Sequence, residues 1–272
     1  MKYFSKIYIF LILGILYIPI ATLILFSFNA SSSTALFTGF SFKWYYELFR
    51  SPETFEALRN TLILAASSAI IATVIGTAAA EGIYKMRNKL AKTAITSVTN
   101  IPMMNPDIVT GMSMMLFFVA VAAILGISYE NIGFTAMLIS HVTFCLPYVI
   151  LSVLPRINEL GDSLSEAALD LGCTPIQAFF KVKLPNIMPG VLSGMVMAFT
   201  MSLDDFVISY FVGSSDFQTL PLLIYSMTKK QVKPDMYALS TLIIVTIFVL
   251  LIITNVKSGR KSAHSGMGGK KK

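Results

Sequence analysis

A chain of 272 residues that is 55% hydrophobic and only 13% charged is no ordinary soluble domain, in which roughly 25% of residues carry charge; its mean hydropathy of +0.73 places it in a membrane. The formal net charge of +7 is therefore no nucleic-acid signal until the positions of the charges are known. Cys145 and Cys173 fall in a predicted span and a predicted cytoplasmic loop, which argues against a disulfide framework. The isolated His141 and His264 leave no cluster with metal-ligand spacing.

Lys2 and Lys6 precede an apolar run over residues 7–28, long enough to cross a hydrocarbon layer of about 30 Å at about 1.5 Å per residue. A signal peptide shares the basic start, but its apolar region is roughly 7–15 residues, so the run reads as a retained first span. Residues 29–59 are a serine-rich external connection in which Trp44, Tyr45 and Tyr46 suit the membrane interface, with room for an interfacial helix. The second span, residues 60–80, is rich in Ala, Ser and Thr; small residues let helices approach closely, which places it inside a bundle. Glu81 ends it, and Lys85, Arg87, Lys89 and Lys92 form a short basic loop.

A third span covers residues 101–126, with Pro102, Asn105, Pro106 and Asp107 breaking its first turns. Irregular polar backbone at that depth persists only where it is buried in protein or faces water. The fourth span, residues 132–154, holds His141 and Pro147, and a single histidine there reads as hydrogen-bonded to a neighbour. The fifth, residues 190–212, holds Ser202, Asp204 and Asp205; the sixth, residues 239–254, is apolar throughout and faces lipid. The expected fold is thus an all-α integral membrane protein of six transmembrane helices. Residues 1–59 form the first span and its connection, 60–256 a core of five spans, and 257–272 a basic disordered tail.

Between the fourth and fifth spans lies the most informative stretch, the loop 155–189. Ser163 and Glu166 have the spacing of a capping box and predict a helix start, Leu164, Ala167, Ala168 and Leu171 share one face, and Gly172 suits a left-handed turn. Thr174 and Gln177 form a second box with Pro175 at the first helical position, predicting another short helix through Ile176, Phe179 and Phe180 until Pro185 stops it. A helix of two turns is unstable alone, so its shallow alanine face needs a partner. A DNA-binding helix-turn-helix is disfavoured: residues 156–185 carry three basic and four acidic side chains, the wrong balance for phosphate. With both termini inside, fifteen Lys and Arg lie on inner segments and six on outer ones, so the positive-inside bias puts this loop in the cytoplasm.

Asp204 and Asp205 are the costly residues, since an Asp at the centre of a membrane helix costs roughly 2.5–3.5 kcal/mol on insertion scales. Neighbours on a helix differ by about 100°, so the two cannot share one partner, and at least one is expected to face a central cavity. Asp107 adds a third carboxylate, and Phe206 and Tyr210 add aromatic faces; carboxylates with aromatics suit an organic cation. The alternative is that Asp205 caps a helix break or pairs with a basic side chain. No G-x-x-x-x-G-K-[ST] loop occurs, Gly268-Gly269-Lys270 lacking the spacing and the hydroxyl, so any ATP-driven work belongs to another subunit.

Glu166-Ala167-Ala168, three residues, Gly172, nine residues, then Val182-Lys183-Leu184-Pro185 resembles the EAA loop of bacterial ABC-importer permeases, with Val182 where the pattern has isoleucine. Pro106-Asp107-Ile108, the run from Ser140 to Pro147, Ser202-Leu203-Asp204-Asp205-Phe206-Val207 and Thr219-Leu220-Pro221-Leu222 narrow the likeness to spermidine/putrescine permeases of the PotC type. It covers nearly all the chain except the tail after about residue 255. The resemblance implies a type I (MetI-like) importer permease whose helix-turn-helix is a coupling loop, with Glu166, Ala167, Ala168, Asp170, Leu171, Gly172 and Pro185 docking on the motor. It further implies two ATP-binding subunits, a PotB-like sister permease, an extracytoplasmic polyamine-binding protein and a multi-pass place in the bacterial plasma membrane. Implied cofactors are none on this chain, with ATP and Mg on the partner ATPase. Competing readings are an importer of another small solute, an intramembrane aspartyl hydrolase using Asp107 and Asp205, and a passive channel, for which a coupling loop has no purpose.

Overall fold

The computed structural model describes residues 2–31, 36–104, 107–214, 217–229, 236–242, 244–246 and 248, which fold into helices with a single isolated bridge between Asn29 and Phe40. The basic tail, Asn105 and Pro106 lie outside the described residues, as does half of the sixth span. Two compact units result: residues 1–56 with 223–272, and residues 57–222.

In the first unit, α1 (Lys2–Phe26) contains an apolar stretch, Tyr8–Phe26, long enough to cross a membrane and unburied by the rest of the chain. The connection after it is ordered by Asn29, whose Oδ1 accepts from the Thr38 N–H at 2.9 Å while its Nδ2 donates to the Leu36 carbonyl at 2.8 Å. The expected interfacial helix is α2 (Lys43–Arg50), but its Trp44 turns inward: the indole Nε1 donates to the Asn29 carbonyl at 2.6 Å and the ring is buried. Trp44 is thereby an anchor of this connection, the buried partner for its N–H letting the large apolar ring pack inside. Of the sixth span the described residues hold the apolar helix Met236–Thr246 and Phe248.

The second unit contains α3 (Pro52–Lys85), α4 (Lys89–Met104), α5 (Asp107–Leu125), a 3-10 turn (Tyr129–Ile132), α6 (Gly133–Leu160), α7 (Ser163–Asp170), α8 (Pro175–Ala178), a π turn (Phe179–Lys183), α9 (Leu184–Leu203) and α10 (Val207–Val212). Its last helix, α11 (Leu220–Lys229), begins here, the Leu220 N–H donating to Thr61 Oγ1 at 2.7 Å. The alanine-rich second span lies inside, as its composition predicts: Ala65, Ala69, Ala72 and Ala80 of α3 are all buried. Val149 of α6 wedges between two glycines. A Cβ on Gly76 of α3 would meet Val149 Cγ1 at 2.7 Å, and one on Gly194 of α9 would meet Val149 Cα at 3.1 Å, so the three helices close on each other only because those side chains are absent.

Among the described residues five stretches can cross a membrane: Tyr8–Phe26, Pro52–Lys85, Asp107–Leu125, Gly133–Leu160 and Pro175–Leu203. Three sequence readings are corrected. The third span begins at Asp107, and the residues before it form the separate helix α4 (Lys89–Met104), which carries Pro102 within it. Pro185 does not stop the second loop helix: the helical run continues through the π turn into α9, whose first turn holds Pro185. The fifth span is two helices, α9 and α10, parted at Asp204, Asp205 and Phe206.

Candidate functional site

Two places carry the polar and exposed chemistry of the second unit. The first is the loop from Gly161 to the π turn. Gly161, at φ +67°, turns the chain so that Asp162 takes the N-cap position of α7, and the Glu166 N–H bonds to the Asp162 carbonyl at 2.9 Å. The Ser163–Glu166 capping box is therefore not formed: Ser163 is already the first helical residue, one position too late to cap. The second box is present, Gln177 N–H donating to Thr174 Oγ1 at 3.3 Å and Thr174 N–H to Gln177 Oε1 at 3.1 Å. Gly172 closes α7 at φ +86°, with its N–H on the Leu169 carbonyl and that of Cys173 on the Ala168 carbonyl, the left-handed ending that favours glycine.

Of the apolar face read from the sequence, only Ala168 is buried. Leu171 is 86% exposed, Ile176 70% and Phe180 60%, and Glu166, Ala167 and Asp170 are exposed beside them. Pro185 is exposed one turn beyond the π turn. This chain alone leaves the apolar face uncovered, an arrangement that marks a contact surface.

The second place is the break between α9 and α10. Asp204 closes α9, its N–H on the Thr200 carbonyl at 3.3 Å, and is exposed. Asp205 is the opposite: its carboxylate is 7% exposed and accepts from the Ile208 N–H at 3.3 Å, the Ser209 N–H at 2.9 Å and Ser209 Oγ at 3.2 Å. It caps α10, satisfying N–H groups that a helix start leaves open. His141 of α6 lies fully buried beside it, Nε2 at 3.5 Å from Asp205 Oδ2 and Nδ1 at 2.7 Å from Ser202 Oγ, while Ser68 of α3 donates to that same Ser202 Oγ at 2.9 Å. With its proton on Nε2, His141 donates to Ser209 Oγ at 3.3 Å, completing a run of hydrogen bonds from α3 through α9 and α6 to α10. Asp205 thus makes the hydrogen bonds of a helix cap.

Asp107, at the start of α5, is exposed; α5 runs along α10, with Gly111 against Phe211 and Val207. Phe206 and Tyr210 stack at a centroid distance of 5.4 Å with Tyr210 exposed. The break thus gathers Asp107, Asp204, Asp205, Phe206 and Tyr210, with Asp107, Asp204 and Tyr210 facing out of this chain. Ser68, Ser202 and Ser209 as its scaffold were not read from the sequence; hydroxyls that return to the local helix carbonyl are common in spans, and nothing in spacing sets these apart. Among the described residues no group of His, Cys and carboxylates could hold a metal.

This bundle has the architecture of an ABC-importer permease. It superposes on a chain of a bacterial ABC transporter that imports the acidic polysaccharide alginate with a TM-score of 0.75, covering 95% of each chain at 16% identity. The chain belongs to the family described as "Binding-protein-dependent transport system inner membrane component", whose pattern matches residues 72–258. It is 39% identical over 238 residues to the putrescine transport system permease protein PotI of Escherichia coli K12, covering 87% of this chain and 84% of that one. It is also 39% identical over 241 residues to the spermidine/putrescine permease PotC of the same organism, covering 89% and 88%. The identity to PotC of Haemophilus influenzae is 37% over 257 residues, covering 94% and 96%. These relatives are transport permeases and not enzymes, so the chain is a multi-pass transport subunit and the hydrolase alternative falls.

Proposed function

We propose that this chain is one permease half of an ATP-driven polyamine importer, with a sister permease of the PotB type, two ATP-binding subunits and an extracytoplasmic binding protein completing it. The observation that carries the substrate class is the extent of the likeness: relatives named for putrescine and spermidine transport match at 37–39% identity over most of this chain. Fold alone does not choose a solute, since the alginate transporter shares it. Six spans with both termini in the cytoplasm best fit the distribution of basic residues. The helix-turn-helix of α7 and α8 then faces the motor as the coupling loop, with Glu166, Ala167, Ala168, Asp170, Leu171, Gly172 and Pro185 as its docking residues. ATP and Mg belong to the motor.

At the break, Asp107 and Asp204 meet the ammonium groups while Phe206 and Tyr210 receive the methylenes, charge against oxygen and apolar stem against ring. Asp205 holds the wall in place. The test is a reconstituted complex in liposomes, loaded with ATP and supplied with binding protein: labelled spermidine or putrescine is taken up and ATP hydrolysis rises with the loaded binding protein. Uptake of some other solute, with polyamines inert, would overturn the substrate class.

A further inference from the structure

At the inner end of the bundle lies a charged side chain that the coupling reading does not use. Lys183, the last residue of the π turn, is only 2% exposed. Its ammonium sits 3.0 Å from Oε1 and 2.8 Å from Oε2 of Glu81, near the end of α3, and 4.4 Å from the centroid of the Tyr84 ring one turn on. Among the described residues Glu81 is the one carboxylate that pairs with Lys183. Lys85 reaches the same carboxylate at 3.1 Å from the outside, and Lys92 of α4 stands 5.5 Å from the Tyr84 ring. One cluster therefore touches α3, α4 and the head of α9.

The placement depends on the π turn. One extra residue in a helical turn rotates everything after it by about 100°, so the turn between α8 and α9 brings Lys183 to face α3 when an uninterrupted helix would aim it elsewhere. A buried ammonium without its partner is far costlier than one with it. The pair consequently resists separation, and a displacement of the loop carries α3 along with α9.

We infer that the buried Lys183–Glu81 pair is the joint through which the coupling helices move α3 together with α9, which makes Lys183 and Glu81 positioning residues of transport. This rests on the importer reading above. Without the pair, movement of α7 and α8 reaches α9 through the continuous backbone and leaves α3 behind.

The test uses the whole complex in liposomes, with spermidine or putrescine as probe, and three variants: Lys183→Met, Glu81→Gln, and the exchange Glu81→Lys with Lys183→Glu. The readouts are co-purification of the ATPase subunits and the ratio of ATP hydrolysis with and without loaded binding protein. The single variants are expected to assemble and hydrolyse ATP at the basal rate while the stimulation ratio drops at least about fivefold and uptake falls with it. The exchange recovers at least about half of the ratio. Single variants with the original ratio and uptake would overturn the inference, as would an exchange variant that assembles fully and stays unstimulated. Loss of co-purification in all three variants would assign the pair to folding and equally overturn it. Failure of the importer reading shows separately, before any variant is made, as an unmodified complex that takes up no polyamine.

Discussion

The break at Asp204–Phe206 and the loop at α7–α8 are both short interruptions between long helices, yet their unsatisfied groups are of opposite kinds. At the break, the costly groups are polar, and this chain supplies the partners: Asp205 is met by two backbone N–H groups and the Ser209 hydroxyl, with His141 and Ser202 behind. At the loop the costly groups are apolar, and this chain leaves them bare, Leu171, Ile176 and Phe180 being exposed. A buried polar group cannot wait for a partner, because each missing hydrogen bond costs about 1–3 kcal/mol at once. An apolar group at a water-facing end can wait, and its later burial is then available to drive association. Regions closed on themselves hold the fold; regions left open are where a second chain acts.

The contrast makes its largest prediction at Asp205. Asp205→Ala orphans the N–H groups of Ile208 and Ser209, and co-purification of the complex and uptake should fall together, several-fold or more. Uptake lost from a fully assembled complex would place Asp205 in the substrate path instead. Next in size is Gly172→Val. It meets no neighbour within 4 Å, so its effect is confined to a backbone at φ +86°, a conformation costing an L-residue roughly 1–2 kcal/mol. The spans should insert normally while polyamine-dependent ATP hydrolysis and uptake drop about tenfold; unchanged uptake would show that the turn need not be held.

Asp204→Asn removes an exposed charge with few internal duties. Assembly should be unchanged and the KM for polyamine uptake should rise about threefold to tenfold, a KM equal to that of the unmodified chain excluding Asp204 from the path. The smallest effect is at Thr174. Thr174→Ala breaks the surviving capping box, worth about 1 kcal/mol, so amides of residues 174–178 should exchange faster with solvent by up to roughly fivefold while uptake changes by less than about twofold.

Helix positions in the second unit were legible wherever composition alone sets burial, as in the alanines of α3. The coupling loop was legible as helix, glycine turn and helix, since Gly172 and the Thr174–Gln177 box act through neighbours in sequence. The helix start at Ser163 was misread by one residue because Gly161, not a side-chain cap, turns the chain there. The end at Pro185 was misread because a π turn leaves no pattern in residue spacing. Asp204 and Asp205 look equivalent in sequence, and only the helix break, which turns Asp205 onto the start of α10 and toward His141 of α6, separates them.

By itself the sequence determined that the chain crosses a membrane, where most crossings lie, and that a short two-helix loop with a bare apolar face joins two of them. Hydrophobic runs, glycine turns and proline positions are local properties, and local physics reads them. Tertiary structure alone decided which aspartate is a cap, that Trp44 is buried, and that Lys183 lies against Glu81. The first depends on a break in the helix that no residue spacing announces, and the others on groups apart in the chain meeting where an unpaired polar group cannot remain.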